Sequence, residues 1–162
     1  MTALRALLTV LILSLAAPTF AQGTSVSFGT IRQDPDAPVE VTADNLSVDQ
    51  ANGTAVFTGN VLIGQGQMRL TAARVLVVYK STGDGIERLE ASGGVTLVSG
   101  PDAAEAERAD YNIDRGTIDM AGNVLLTQGP SALTADRMSV NLSDGSARMS
   151  GRVKTILQTG NN

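Results

Sequence analysis

A unit of about thirty residues recurs along this chain, and each copy carries a glycine followed two residues later by a valine. The pairs are Gly59/Val61, Gly93/Val95, Gly122/Val124 and Gly151/Val153, with intervals of 34, 29 and 29 residues between the valines. A single thirty-residue unit cannot bury its own apolar face, so such units have to stack into one array with a shared core.

The same offsets align whole columns. Ala55, Leu89, Ile118 and Ala147 fall in one, Phe57, Ala91, Met120 and Met149 in the next, and Ile63, Leu97, Leu126 and Thr155 in a third, with Val61, Val95, Val124 and Val153 between them. Residues separating the columns are mostly polar: Thr58, Ser92 and Ser150, then Glu90, Asp119 and Arg148, then Asn60, Asn123 and Arg152. Alternation with period two predicts strands that bury one face. A second strand precedes each of these, with Leu46/Val48, Val75/Val77, Ala109/Tyr111 and Met138/Val140 on its apolar side. Unit two departs from the pattern, since Leu76 and Val78 make its first strand apolar on both faces.

The glycine column falls on the inward parity, where it predicts a sharp bend or a close backbone approach within each strand. Asn52-Gly53 and Asp144-Gly145 predict tight hairpins, and the extra residues of unit two fall in Ser81-Thr82-Gly83-Asp84-Gly85. The chain is therefore expected to be all-β, built from bent, antiparallel neighbouring strands.

Residues 1–21 have the pattern of a cleaved secretory signal, with Arg5, an apolar run from Ala6 to Ala17, and Thr19-Phe20-Ala21 as the cleavage site. Residues 22–37 read as a loosely ordered lead-in with Val26, Phe28 and Ile31 as its anchors, 38–157 as one β domain, and 158–162 as a flexible tail. Without Arg5 the formal charge of −4 becomes −5, and no basic cluster is present, which argues against nucleic acid as a partner. The absence of cysteine excludes disulfides and lipid attachment through a cysteine, so packing and strand pairing have to supply the stability.

Reaction chemistry is sparse. With no His and no Cys, the commonest general base, the commonest metal ligands and the thiol nucleophile are all missing. Asp34-Pro35-Asp36 lacks calcium-loop spacing and reads as a solvated turn, and Gly64-Gln65-Gly66 reads as turn chemistry. Glu105 and Glu107 lie two apart on a strand, which places them on an exposed edge of the repeat. No enzyme, cofactor or metal is expected.

The segments Gly59-Asn60-Val61-Leu62-Ile63-Gly64-Gln65-Gly66 and Gly122-Asn123-Val124-Leu125-Leu126-Thr127-Gln128-Gly129 resemble the LptA/OstA family of periplasmic lipopolysaccharide-transport proteins. Thr42-Ala43-Asp44 and Thr134-Ala135-Asp136, which open the preceding strands, add to the likeness. This resemblance implies a slightly twisted, V-shaped β-jellyroll, open at both ends, whose apolar groove shields the acyl chains of lipopolysaccharide in the periplasm. It also implies edge-strand addition to an LptC-like inner-membrane partner and an LptD-like outer-membrane partner, and it leaves head-to-tail association of copies open. The inward columns are then the lipid-binding candidates, and the final strand, Ala147 to Leu157, is expected to offer a free edge. An LptC-type domain, a structural β-array with an ordinary dry core, and a carbohydrate-active β-helix are the alternatives. The last ranks lowest, because the outer columns mix Glu, Asp, Arg, Ser and Asn instead of grouping acids or aromatics.

Overall fold

The computed structural model describes residues 24–28 and 37–156. The segments read as a signal and a flexible tail, and Asp34-Pro35-Asp36, lie outside the described residues. Among the described residues eleven strands form one antiparallel sheet: β1 (Thr24–Ser27), β2 (Glu40–Thr42), β3 (Asn45–Asp49), β4 (Thr54–Gln65), β5 (Met68–Tyr79), β6 (Ile86–Ser99), β7 (Asp102–Asn112), β8 (Thr117–Gln128), β9 (Ser131–Asn141), β10 (Ser146–Ser150) and β11 (Lys154–Ile156). From β4 to β9 each strand pairs with the next in sequence. At the ends, β2 and β3 both pair with β4, while β10 and β11 both pair with β9.

Every long strand crosses a bend. Thr58 pairs with Arg74 and Val61 with Ala72, so Gly59 and Asn60 oppose the single residue Ala73. Two residues against one is a β-bulge, which bends the strand and sharpens its twist. Both bulge residues take positive φ: 79° and 46° at Gly59-Asn60, 83° and 85° at Gly93-Gly94, 87° and 48° at Gly122-Asn123, and 77° and 45° at Gly151-Arg152. The recurring glycine is thus the first residue of a left-handed bulge, a conformation that carries a steric penalty for any residue with a Cβ.

The bulges fall in one row and divide the sheet into two arms. One arm ends in two-residue turns, where Gly66, Gly100 and Gly129 hold positive φ at the first loop position, as type II′ turns require. The other arm ends in longer loops, among them Gln50–Gly53 and Leu142–Gly145. The inward faces of both arms form a single apolar core. The sheet is therefore folded back on itself along the bulge row, which confirms the bent all-β architecture expected from the sequence.

The glycines, however, do not sit against the interior. A Cβ on Gly122 would meet the Glu107 side chain at 2.6–2.7 Å, one on Gly151 would meet Asp136 at 2.5–2.9 Å, and one on Gly59 would meet Asp44 from 2.5 Å. These carboxylates accept hydrogen bonds from the second bulge residue. Asn60 Nδ2 donates to Asp44 at 2.8 Å, Asn123 Nδ2 to Glu107 at 2.7 Å, and the Arg152 guanidinium to Asp136 at 2.6 Å. In unit two the facing residue is Ala73, and the second bulge residue is a glycine. Asn tolerates the left-handed conformation better than most side chains, so a clasp of carboxylate and donor holds the outside of each bend where an acid is available.

Candidate functional site

The bends place two sets of side chains face to face. On the long-loop arm the interior is filled by Val75, Val77, Leu89, Tyr111, Ile118, Met120, Met138, Val140 and Met149, and on the short-turn arm by Val61, Ile63, Val95, Leu97, Val124 and Leu126. All of them are at most 3% exposed, as the inward columns predicted. Phe57 and Val153 are half-buried against this core. Leu46 and Val48 differ. They share the column of Phe57 and Ala55 by register, yet are 57% and 59% exposed, because β3 is a short edge strand with no further strand beyond it among the described residues. They mark the uncovered end of the core.

Sequence reasoning missed part of the lining. Met68, Leu70 and Ala72 on β5, Ala104 and Ala106 on β7, and Leu133 and Ala135 on β9 are also buried. The bulge on each neighbouring strand shifts parity, so β5 faces inward at Ala72 and again three residues later at Val75, where unbroken alternation allows two or four. The same odd step separates Ala106 from Ala109 and Ala135 from Met138, and its recurrence at the array's own spacing is the signal that could have located them.

One polar contact spans the apolar interior. Tyr111 O–H, on the long-loop arm, donates to Gln65 Oε1, on the short-turn arm, at 2.5 Å, and Gln65 Nε2 donates to the Ala37 carbonyl at 3.0 Å. Each of the two side chains is 3% exposed. Burial raises the Tyr111 phenol above its ordinary value, against a smaller lowering from the Gln65 hydrogen bond. Tyr111→Phe leaves the Gln65 acceptor without this donor and is expected to cost about 1–3 kcal/mol in a denaturant titration at neutral pH. The unfolded chain releases this proton near its ordinary value of about 10, below the folded one, so the stability contributed by the neutral phenol is lost as pH rises above that point. Tyr111→Phe should therefore also flatten the alkaline decline.

The two ends of the array are unlike. At the start, β3 and β2 pair only with β4, and their outer edges are unoccupied among the described residues. At the finish, the expected single strand Ala147–Leu157 is instead two strands, broken at the Gly151-Arg152 bulge. The expectation of a free edge holds only for β11. β10 is paired along its outer side by β1, in the register Thr24↔Met149, Val26↔Ala147 and Ser27↔Ser146. The lead-in thus contains an ordered strand, because Val26 and Phe28 extend the inward alternation and Phe28 is buried in the core.

Candidate chemistry found in the sequence does not converge. Glu105 and Glu107 are exposed, and Glu107 is committed to Asn123. Gly64-Gln65-Gly66 ends β4 and enters a two-residue turn. Glu90, Asp110 and Asp119 lie directly opposite one another on β6, β7 and β8. Burial, then the charge of Glu90, raises the Asp110 carboxyl. This row is a cross-strand repulsion on the outer face. Among the described residues no group of His, Asp or Glu could hold a metal ion.

Fold and interior together define a bent, antiparallel β-array with an aliphatic core, capped at one end by β1 and bare at the other along β3. A profile described as LptA/(LptD N-terminal domain) LPS transport protein matches residues 40–146, and the chain belongs to this family. An uncharacterised protein of Rhizobium meliloti is 32% identical over 111 residues, 64% of this chain and 60% of that one. The lipopolysaccharide export system protein LptA of Escherichia coli K12 is 29% identical over 69 residues, 43% of this chain and 37% of that one. LptH of Pseudomonas aeruginosa, an export system protein of the same kind, is 33% identical over 66 residues, 41% of this chain and 37% of its own length. The chain thus aligns with less than two thirds of the length of these relatives. The crystal structure of LptH, described as the LptA-homologous periplasmic component of the lipopolysaccharide transport device, superposes with a TM-score of 0.69 at 17% identity, over 78% of this chain and 99% of that one. It shares this fold.

Proposed function

We propose that this protein is a periplasmic lipopolysaccharide carrier that shields acyl chains between its two arms and joins inner- and outer-membrane components of the export machinery. Support comes from the family, whose relatives LptA and LptH are named for lipopolysaccharide export. The observation that carries it is the lining: apolar side chains run in unbroken columns from β4 to β10, with Leu46 and Val48 left bare at one end. Each buried methylene is worth about 0.8 kcal/mol, so a lipid with several chains needs such a lining to cross water at a useful rate. Between cargoes the arms pack on one another, and acyl chains take the place of these mutual contacts when the arms part about the bulge row. The sheet edges at the two ends take strands from an LptC-like and an LptD-like partner.

Photo-crosslinkers at Val61, Val95 or Val124 are expected to capture lipopolysaccharide, and those at the outward Asn60, Thr96 or Asn123 are not. Mass analysis of lipid co-purified with the protein checks the cargo independently. Equal labelling of the two sets would favour the second reading, a dry structural core without ligand, which the near-complete burial of the columns also accommodates.

A further inference from the structure

The strand β1 occupies a place the repeat does not supply. It lies outside residues 40–146 matched by the family profile, and it pairs with the strand at the opposite end of the sequence. Its hold is limited: four residues of ladder, Phe28 N–H donating to the Gly145 carbonyl at 2.8 Å, and the Gln128 side-chain amide donating to the Ser27 carbonyl. Thr24, Ser25 and Ser27 are exposed, Val26 is half-buried, and only Phe28 is fully inserted. A short polar strand with one aromatic anchor closes the edge of β10 against other strands, which is how sheet edges are commonly protected.

At the other end of the molecule, β3 has an open edge of matching design. Its inward residues, Leu46 and Val48, extend the column that Val26 extends on β10, and they are exposed. The charges of the two ends are complementary: Glu40 and Asp49 face outward on β2 and β3, while Arg148 and Lys154 face outward on β10 and β11. We infer that β1 is a displaceable cap and that the edge it covers accepts β3 of a second copy, so that the array continues from one molecule to the next only after β1 leaves. This rests on the reading above that the ends are joining surfaces, and it adds that one of them is closed by the chain itself. Because a strand tethered to its own sheet competes at high effective concentration, the cap sets the protein concentration at which copies join.

The chain has no cysteine, so a single introduced pair gives an unambiguous lock. Ser25 and Arg148 are register partners and both are exposed, and Ser25→Cys with Arg148→Cys would fasten β1 in place. Sedimentation velocity over a concentration series is expected to show self-association at least tenfold weaker for the oxidised pair than for the same protein after reduction. Phe28→Asp puts a charge where the anchor is buried and should release β1, tightening self-association at least tenfold, with circular dichroism checking that the sheet remains. The oxidised and reduced forms associating alike, or a folded Phe28→Asp protein staying monomeric, would overturn the inference. Lipopolysaccharide capture, measured on the same samples, tests the carrier reading separately: its loss in every form with the lock still controlling association would sink that reading and leave the cap standing.

Discussion

Gly122→Val is expected to destabilise the protein by about 3 kcal/mol, seen as a lower denaturant midpoint with an unchanged slope. Two costs combine. Gly122 has a φ of +87°, a region in which a β-branched residue is a genuine outlier, and forcing it there costs on the order of 1–3 kcal/mol. The new Cβ would also stand 2.6–2.7 Å from the Glu107 side chain, so the Glu107–Asn123 clasp must break or shift. The costs can be separated in part. In a Glu107→Ala background the contacts with the carboxylate are removed, while the backbone strain and the approach to the residue-107 Cβ at 2.7 Å remain, so Gly122→Val should still cost more than half as much there, whereas Glu107→Ala alone, at an exposed position, should stay within about 0.5 kcal/mol. An unchanged midpoint for Gly122→Val would mean that the bulge reverts to regular strand at no cost.

The sequence made the bend legible but not its direction. Period-two alternation and the 34- and 29-residue spacing identified the columns through Val61, Val95 and Val124, because register repeats wherever one face is buried. Carrying the same parity through the glycine turned that residue inward, whereas a two-for-one bulge leaves it beside a carboxylate on the next strand. The error also hid Leu70, Leu133 and the alanines of the return strands, whose alternation is offset by one and whose small side chains give little contrast. Contacts between distant segments left no local trace at all. Tyr111 and Gln65 meet across 46 residues from opposite arms, and β1 finds β10 through tertiary packing, with Val26 and Phe28 as the sole pattern in its sequence.

Leu126→Ala is expected to lower folding stability by about 2–5 kcal/mol, since Leu126 is fully buried and its removal leaves a cavity the surrounding strands refill only in part. For an ordinary core that is the whole consequence. For a carrier whose arms part to admit lipid, the mutual packing of the arms is also a cost that binding has to overcome. A ligand that selects an open state has its apparent affinity reduced by the fraction of molecules in that state. Weakening the closed packing raises that fraction. Leu126→Ala should therefore bind lipopolysaccharide at least as tightly as the unsubstituted chain under conditions where both remain folded, with faster loading from micelles. Leu62→Ala, on the same arm but on the outer face and 37% exposed, should change neither quantity comparably. A loss of lipid affinity in Leu126→Ala that matches its loss of stability would show that the closed packing is itself the binding state, and the opening of the arms would then have no part in transport.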